Sequence, residues 1–426
     1  MPAIVRPATP AAAITLGRRF EAGVLGQDVA IPIPDLSRHI VMRAGSGSGK
    51  TVFVKRLVEE AALCGVPSIV VDVAKDLSLL GDAWPSPPPD WNPEDAELAA
   101  RYHESVDVQI WTPGRPDGRP VRLPLVPSLS GFYDSNEREA AIDAAVSGLL
   151  PVAVKKKNPD LERAVLHAVM RWLAQNPSPG TDSTGHLVAA LRDLPPEAIQ
   201  GYQNERKLAA QMADQIQAVK ETDPLYRNPS AEELDPAVLF GVDEAKTRIS
   251  VLSLFGMQAV DSQARFIGQL AVTLFNWIRK NPVRPPAQVR GLLVIDEAAR
   301  FLPRGNAESK PGLLLLAQQA RKYGLGLVLA TQNPMDLDYN ATANFATHLY
   351  GTANQPQVVD FIRKALQEKG VSGANPGQLK VGEFYCFTPS VPKPVRIKTS
   401  LCLSAHPNNT QLSDDEILGR ACAGRR

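Results

Sequence analysis

The chain has 426 residues, of which 44% are hydrophobic, and its net charge is +1 at pH 7. This length and composition predict a globular protein with one large or two modest domains. The small net charge excludes a broad basic surface, so any contact with DNA must be local, such as a channel lining. There is no run of 18 apolar residues, no signal peptide and no metal-binding spacing among the four cysteines. We therefore expect a cytoplasmic protein with reduced thiols and without membrane insertion.

The order of periodic segments predicts an α/β fold that is interrupted by a helical block. Two short strands are predicted between Thr15 and Ile33, before the core begins. Helical periodicity over Glu137–Leu150, Leu161–Gln175 and Glu205–Lys220 indicates an insertion or lid, because strand patterns resume only at Thr247. The predicted divisions are a short N-terminal segment (1–37), the first part of the core (38–135), the helical insertion (136–240), the second part of the core (241–405) and a tail (406–426).

Residues 44–51 read Ala-Gly-Ser-Gly-Ser-Gly-Lys-Thr and predict a phosphate-binding loop between a strand and a helix. Small residues let the backbone curl so that successive N–H groups face phosphate oxygens. Lys50 can reach the β- and γ-phosphates, and Thr51 offers a hydroxyl to Mg²⁺. The usual first glycine is Ala44 here, and a flexible linker is the alternative interpretation. The predicted ATP-binding residues are Gly45, Ser46, Gly47, Ser48, Gly49, Lys50 and Thr51.

A second pattern, Gly291 to Ile295 followed by Asp296 and Glu297, predicts a buried central strand that ends in two carboxylates. Open α/β sheets bind ligands at the carboxyl ends of their strands, beside the phosphate loop. Asp296 would then bind Mg²⁺, directly or through water, and Glu297 would polarise the attacking water. Taken alone, the pattern also fits an ordinary strand end with solvated acids.

The third pattern runs from Gln318 to Pro334 and predicts a helix ending near Tyr323, a glycine turn and a buried strand ending at Thr331-Gln332. Gln332 is placed to sense the γ-phosphate or orient water, and a simple strand cap is the alternative. By its position alone, Arg321 is a cation at the end of a helix, where the helix dipole favours it.

Together these three patterns resemble the HerA branch of the HerA/FtsK superfamily of DNA-translocating ATPases. The resemblance implies a RecA-like core with a mostly parallel sheet, ATP and Mg²⁺ as cofactors, and hexameric rings around double-stranded DNA. It assigns catalytic roles to Lys50, Glu297 and Gln332, and it matches Arg321 to an arginine that completes the neighbouring subunit's ATP site. Arg38 matches a second catalytic arginine more weakly.

Two departures from the family pattern limit this transfer. Ala299 stands where members often carry a histidine after the Asp-Glu-Ala sequence. HerA proteins usually have an N-terminal β-barrel, and residues 1–37 are too few for a complete one.

For DNA contact, the basic run Lys155-Lys156-Lys157 is a candidate, although a solvated loop explains it better. Arg300 and Arg304, just after the catalytic strand, are equally good candidates.

The sequence therefore favours an ATP-driven, ring-forming DNA translocase or helicase that works with a nuclease or another effector. DNA end processing and anti-phage defence are both compatible with it. A conjugation or DNA-packaging ATPase of the same superfamily is the nearest alternative. An ATP-binding assembly scaffold with little motor activity is an alternative from a different class.

Overall fold

The computed structural model describes the greater part of the chain. Its described residues are 13–21, 23–122, 124–126, 134–154, 159–176, 183–199, 204–227, 231–242, 244–283, 289–406 and 412–424. The basic run Lys155–Lys157, a candidate for DNA contact, lies outside these residues.

Eleven strands of the described chain form one sheet, in the order β2-β1-β13-β12-β11-β3-β10-β9-β4-β8-β5, and β6 pairs separately with β7. The strands are β1 (Ala13–Glu21), β2 (Val24–Pro32), β3 (Ile40–Arg43), β4 (Ser68–Asp72), β5 (Val106–Trp111), β6 (Val121–Arg122), β7 (Glu232–Glu233), β8 (Thr247–Ser253), β9 (Gly291–Ile295), β10 (Leu325–Thr331), β11 (Thr347–Tyr350), β12 (Glu383–Thr388) and β13 (Val391–Lys398).

The large sheet has a parallel half and an antiparallel half. The seven strands from β11 to β5 are all parallel, and the central ones are buried along their whole length. This burial explains why their sequences are apolar without alternation. The result confirms the expected α/β fold with a mostly parallel central sheet. The other four strands pair antiparallel, and the hairpin of β1 and β2 joins the sheet through β13.

Helices cover both faces of the sheet. On one face α1 packs its Phe53 and Leu57 against the strands, and on the other face α9 and α10 do so with residues such as Phe275 and Leu316. The helices are α1 (Lys50–Leu63), α2 (Asp95–Ser105), α3 (Ser135–Ala153), α4 (Asp160–Gln175), α5 (Ser183–Arg192), α6 (Glu205–Thr222), α7 (Pro224–Arg227), α8 (Pro236–Leu239), α9 (Val260–Lys280), α10 (Lys310–Gln319), α11 (Tyr339–Thr342), α12 (Pro356–Glu368) and α13 (Asp414–Ala423).

The three helical patterns of the interrupting block correspond to α3, α4 and α6. Helix α3 packs against α9 and α10, so this block is attached to the face of the sheet opposite α1. In the described part of the chain, no helix combines the length and the apolar character that a membrane span requires.

The segment interpreted from sequence as a tail contains a packed helix. Ser413 and Glu416 form a reciprocal capping box that starts α13. Ile417 and Ala421 of this helix are buried in the core on the α1 face, and Arg420 pairs with Asp82 at 2.6 Å. This part of the chain is therefore held on the α/β core.

Candidate functional site

The phosphate loop lies at the carboxyl edge of the parallel strands, between β3 and α1. Its conformation requires glycine at two positions, because Gly47 and Gly49 have φ of 72° and 89°. Gly49 also has no room for a side chain, since a Cβ there would lie 2.9 Å from the backbone nitrogen of Gly382. Helix α1 begins immediately afterwards at Lys50, so its N-terminus faces the loop.

Two neighbouring segments hold the loop from outside. The Gly45 N–H donates a hydrogen bond to the carbonyl of Thr352, at 2.7 Å. The Gly382 N–H donates to the carbonyl of Ser48, at 2.8 Å. Both contacts are made from outside the loop, so the concave side of the loop is available to a ligand. The Ser48 hydroxyl is buried and has no hydrogen-bond partner among the described residues, as expected of a group that awaits a phosphate oxygen.

Lys50 joins the two halves of the site, which lie far apart in the sequence. Its Nζ donates a hydrogen bond to Asp296, and it lies 3.7 Å from Oε2 of Glu297. Lys50 and Asp296 are both buried, so each charge depends on the other for compensation. The structure thus brings the phosphate loop and the two carboxylates after β9 to one point.

Glu297 has a strained backbone conformation, and two hydrogen bonds fix its side chain. It has φ of 64°, a left-handed conformation that costs a residue other than glycine about 1–3 kcal/mol. Its Oε1 accepts hydrogen bonds from the Thr331 hydroxyl at 3.1 Å and from the Gln332 N–H at 3.3 Å. The side chain remains 30% exposed, so it is accessible to water.

Gln332 and Thr51 complete the set of side chains around this edge. Gln332 is exposed and follows β10 directly, beside Glu297. Thr51 lies in the first turn of α1 and is half-buried. No cluster of three or more His, Cys, Asp or Glu in the described chain could bind a metal by itself. The residues nevertheless fit Mg²⁺ bound with ATP, because such an ion takes phosphate oxygens and water beside one or two protein oxygens, here from Thr51 and Asp296.

Arg321 and Arg38 lie at the opposite edge of the sheet. Arg321 is exposed in the 3₁₀ helix Ala320–Tyr323, which precedes β10, and Arg38 ends the 3₁₀ helix Ile33–Arg38, which precedes β3. These two short helices contact each other. The seven residues of β10 span about 20 Å, so Arg321 cannot reach the phosphate loop of its own chain.

His39 lies between the two arginine positions and is buried. Burial, with a smaller contribution from the nearby Arg321, lowers its pKa to about 4. Its Nδ1 accepts a hydrogen bond from the Leu327 N–H at 3.0 Å. The imidazole is therefore neutral at pH 7, and it joins β3 to β10 at the edge that carries the arginines.

Sequence reasoning did not identify two of the residues that shape the site. Thr331 orients Glu297, and the signal for it was its position as the last strand residue before Gln332. Asp72 ends β4, and burial, with a smaller contribution from the Asp296 carboxylate, raises its pKa to about 6. An apolar run ending in an acid, as in Ile69 to Asp72, is the same signal that identified Asp296.

The two segments that follow Glu297 and Gln332 are bonded to each other. The Arg304 N–H donates to the carbonyl of Asp336, and the Asp338 N–H donates to the carbonyl of Leu302, both at 2.9 Å. The Lys310 ammonium also pairs with Asp338, at 2.6 Å. These bonds join the segment that follows Glu297 to the segment that follows Gln332.

The fold and the phosphate loop define a nucleotide-binding protein with a P-loop α/β core. Similar solved structures include plasmid coupling protein TrwB with the non-hydrolysable ATP analogue ADPNP, at 16% identity and a TM-score of 0.58, covering 95% of this chain and 92% of TrwB. VirB4 of Thermoanaerobacter pseudethanolicus is similar at 17% identity and a TM-score of 0.54, covering 96% of this chain and 100% of VirB4. Another TrwB structure contains ADP and Mg²⁺, at 15% identity and a TM-score of 0.54, covering 95% of this chain and 98% of TrwB.

At these identities the similarity shows the fold alone, and this fold is the one that the sequence resemblance implied. No protein-family model matches the sequence, and a search of curated proteins found no match.

Proposed function

We propose that this chain is an ATPase that assembles into a ring, most favourably a hexamer, and moves along double-stranded DNA. One observation carries the proposal. The phosphate loop and its carboxylates lie at one edge of the sheet, whereas Arg321 and Arg38 lie at the other. A second copy that brings its arginine edge to this phosphate loop would complete the site. Repetition of that contact around an axis closes a ring.

Hydrolysis in this proposal depends on positioning and charge. Bound Mg²⁺ would supply positive charge at the β- and γ-phosphates. Lys50 would move its ammonium from Asp296 towards the phosphates and leave the Asp296 oxygens for the metal. Glu297, oriented by Thr331, would accept hydrogen-bond donation from the attacking water and polarise it. Gln332 would sense the γ-phosphate from the same strand end.

Contact with DNA is proposed for the two bonded segments beyond the catalytic edge. Arg300 and Arg304 follow Glu297, and the second segment continues into α11, where Tyr339 is 56% exposed. The backbone bonds between Leu302–Arg304 and Asp336–Asp338 would transmit a shift of Glu297 or Gln332 to these side chains. Positive charge and an exposed aromatic ring suit a local contact with a nucleic acid backbone.

A conjugation ATPase is a second candidate, and the similarity to the bacterial conjugative coupling protein TrwB favours it. A nuclease or defence effector as a partner, and a role in DNA packaging, are further expectations that derive from the sequence resemblance alone. An assembly scaffold with little motor activity would share the fold and the phosphate loop without needing Glu297.

The proposal can be tested by measuring ATP hydrolysis with and without duplex DNA, together with displacement of a third strand from a DNA triplex. We expect DNA to stimulate hydrolysis, and ATP to drive displacement in the wild type but not in the Lys50→Ala variant. Mass measurement with ADPNP and duplex DNA should show a closed oligomer. A strictly monomeric protein with full ATPase activity would contradict the ring, and ATP binding without DNA-stimulated turnover would favour the scaffold. Co-purification of partners from the native host separates conjugation from repair and defence.

A further inference from the structure

Three polar side chains form a row across the carboxyl edge of the sheet. Asp72 ends β4 and is paired in register with Ser253, the last residue of β8. On the other side of β4, Val71 pairs with Ile295 of β9. Asp72 and Asp296 therefore follow paired residues on neighbouring parallel strands, whose spacing is about 4.8 Å. The row runs from Asp296 through Asp72 to Ser253.

Side-chain alternation puts this row on the face of the sheet that α1 covers. A valine lies two residues before each member of the row, and this valine belongs to the same core cluster as the apolar side of α1. These valines are Val70, Val251 and Val294. The row therefore lies below the start of α1, where Lys50 and Thr51 are.

Asp72 and Ser253 both have a polar atom that needs a partner. Asp72 is 1% exposed, and its Oδ2 accepts hydrogen bonds from the Ser78 N–H at 2.8 Å and from the Ser78 hydroxyl at 2.6 Å. Its Oδ1 and the hydroxyl of the fully buried Ser253 have no hydrogen-bond partner in the described part of the chain. Buried polar atoms are almost always bonded to protein or to ordered water. Two such groups on paired residues are suited to hold water between them.

We propose that Asp72 and Ser253 are positioning residues that hold water in the hydration shell of the Mg²⁺ that Asp296 binds. The inference rests on the nucleotide site of the proposed function. Mg²⁺ gives up its water reluctantly and usually keeps several molecules in its shell. A buried carboxylate next to the metal-binding one can accept hydrogen bonds from such water. Groups of this kind orient the metal's ligands, and their loss typically lowers metal affinity about 10–100-fold.

The test measures ADP binding by calorimetry, once in EDTA and once in Mg²⁺, so that turnover does not enter. Asp72→Asn keeps the size of the side chain and an oxygen for the Ser78 donors, but it removes the charge and an acceptor. Ser253→Ala removes the second acceptor with little change in packing. Ser68→Ala is the matched control, because Ser68 has an equally buried, unpartnered hydroxyl at the opposite end of β4.

We expect Asp72→Asn to reduce the gain in ADP affinity that Mg²⁺ provides by about tenfold, with binding in EDTA within about twofold of the wild type. Ser253→Ala should reduce the same gain by a smaller factor, and Ser68→Ala should leave it unchanged. An unaltered Mg²⁺ effect in both Asp72→Asn and Ser253→Ala overturns the inference while leaving the ATPase proposal intact. A wild type that binds no nucleotide overturns both. If Asp72→Asn does not fold, Ser253→Ala decides alone.

Discussion

The two edges of the parallel sheet differ in how their charged side chains are held. At the carboxyl edge, Lys50 and Asp296 are buried and paired, and Glu297 is fixed by two hydrogen bonds. At the amino edge, Arg321 is exposed and Arg38 pairs with the nearby Asp35, at 3.3 Å. The first arrangement is organised within one chain, whereas the second presents positive charge outward. This contrast underlies the proposal that a single chain binds nucleotide but needs a neighbour to hydrolyse it efficiently.

The largest effect is expected from Arg321→Ala, which tests whether the exposed edge serves a neighbouring chain. An arginine supplied in trans to a γ-phosphate typically contributes about 10³–10⁵-fold to turnover, so hydrolysis should fall by about 10³-fold or more. ADPNP binding should remain close to that of the wild type, because Arg321 is remote from its own loop. Phosphate release and ADPNP titration check the two expectations.

A mixing experiment distinguishes a role in trans from one within the chain. Subunits with Arg321→Ala and subunits with Lys50→Ala are each inactive alone, but some mixed interfaces pair an intact loop with an intact arginine. Activity should then partly return. If Arg321 only caps its helix at Tyr323-Gly324, the variant should lose about 0.3–1 kcal/mol of stability and keep its turnover. Normal turnover in Arg321→Ala would therefore refute the trans role.

The next effect concerns the edge that is organised within the chain. Glu297→Gln keeps the shape of the side chain and an oxygen for the Thr331 hydroxyl, but it cannot polarise water. Turnover should fall by about 10²–10⁴-fold, which is the usual contribution of a general base. ATP binding should persist, whereas Lys50→Ala should weaken binding as well. Near-normal phosphate release from Glu297→Gln would remove it from the water-activating role.

The sequence predicted the parallel half of the sheet better than the antiparallel half. Strands such as Gly291–Ile295 are fully buried, so their apolar runs are visible without knowledge of their partners. The pairing of β1 with β13 brings together segments about 380 residues apart, such as Arg18 and Lys398, and no local pattern encodes that pairing. Helix α13 was not predicted from sequence, because its buried apolar residues are just two, Ile417 and Ala421.

The site shows the same division. The phosphate loop and the carboxylates after β9 were predicted because their chemistry dictates residue types at fixed spacing. That Lys50 contacts Asp296 confirms that the two segments meet. The roles of all the site residues stay predictions, namely those of Lys50, Thr51, Asp296, Glu297, Gln332, Arg321 and Arg38. Asp72 ends an apolar run as Asp296 does, but its place between Asp296 and Ser253 follows only from the register of the three strands.

A smaller effect, on stability, is expected from protonation of His39. It tests how well the amino edge of the sheet excludes water. Its pKa is about 4 in the folded chain and about 6.5 in the unfolded one. Below pH 6.5 the unfolded chain therefore binds the proton first, and stability is lost as the pH falls towards 4. The free energy of unfolding should fall by about 2 kcal/mol between pH 7 and pH 5 from this group.

The measurement is urea denaturation of the wild type and of His39→Asn at both pH values. Asparagine tolerates the φ of 67° at this position and keeps an acceptor for the Leu327 N–H. The variant should lose about 2 kcal/mol less than the wild type over this pH range. Equal losses in both proteins would show that His39 is not held neutral by burial.

The smallest effect is expected at Gly382, whose N–H bonds to the phosphate loop from outside. Gly382 has φ of 75°, and a Cβ there would lie 3.3 Å from Nζ of Lys398 and from the Thr399 hydroxyl. Gly382→Ala should cost about 1–2 kcal/mol of stability from the left-handed conformation. It should also shift the hydrogen bond to Ser48 and so weaken ADP binding.

Gly370→Ala is the matched control, because Gly370 has φ of 86° but no atom within 4 Å of its Cβ position. Gly382→Ala and Gly370→Ala should lower the free energy of unfolding by similar amounts, but only Gly382→Ala should bind ADP more weakly. Equal ADP affinity in the two variants would show that the loop keeps its shape without support from Gly382.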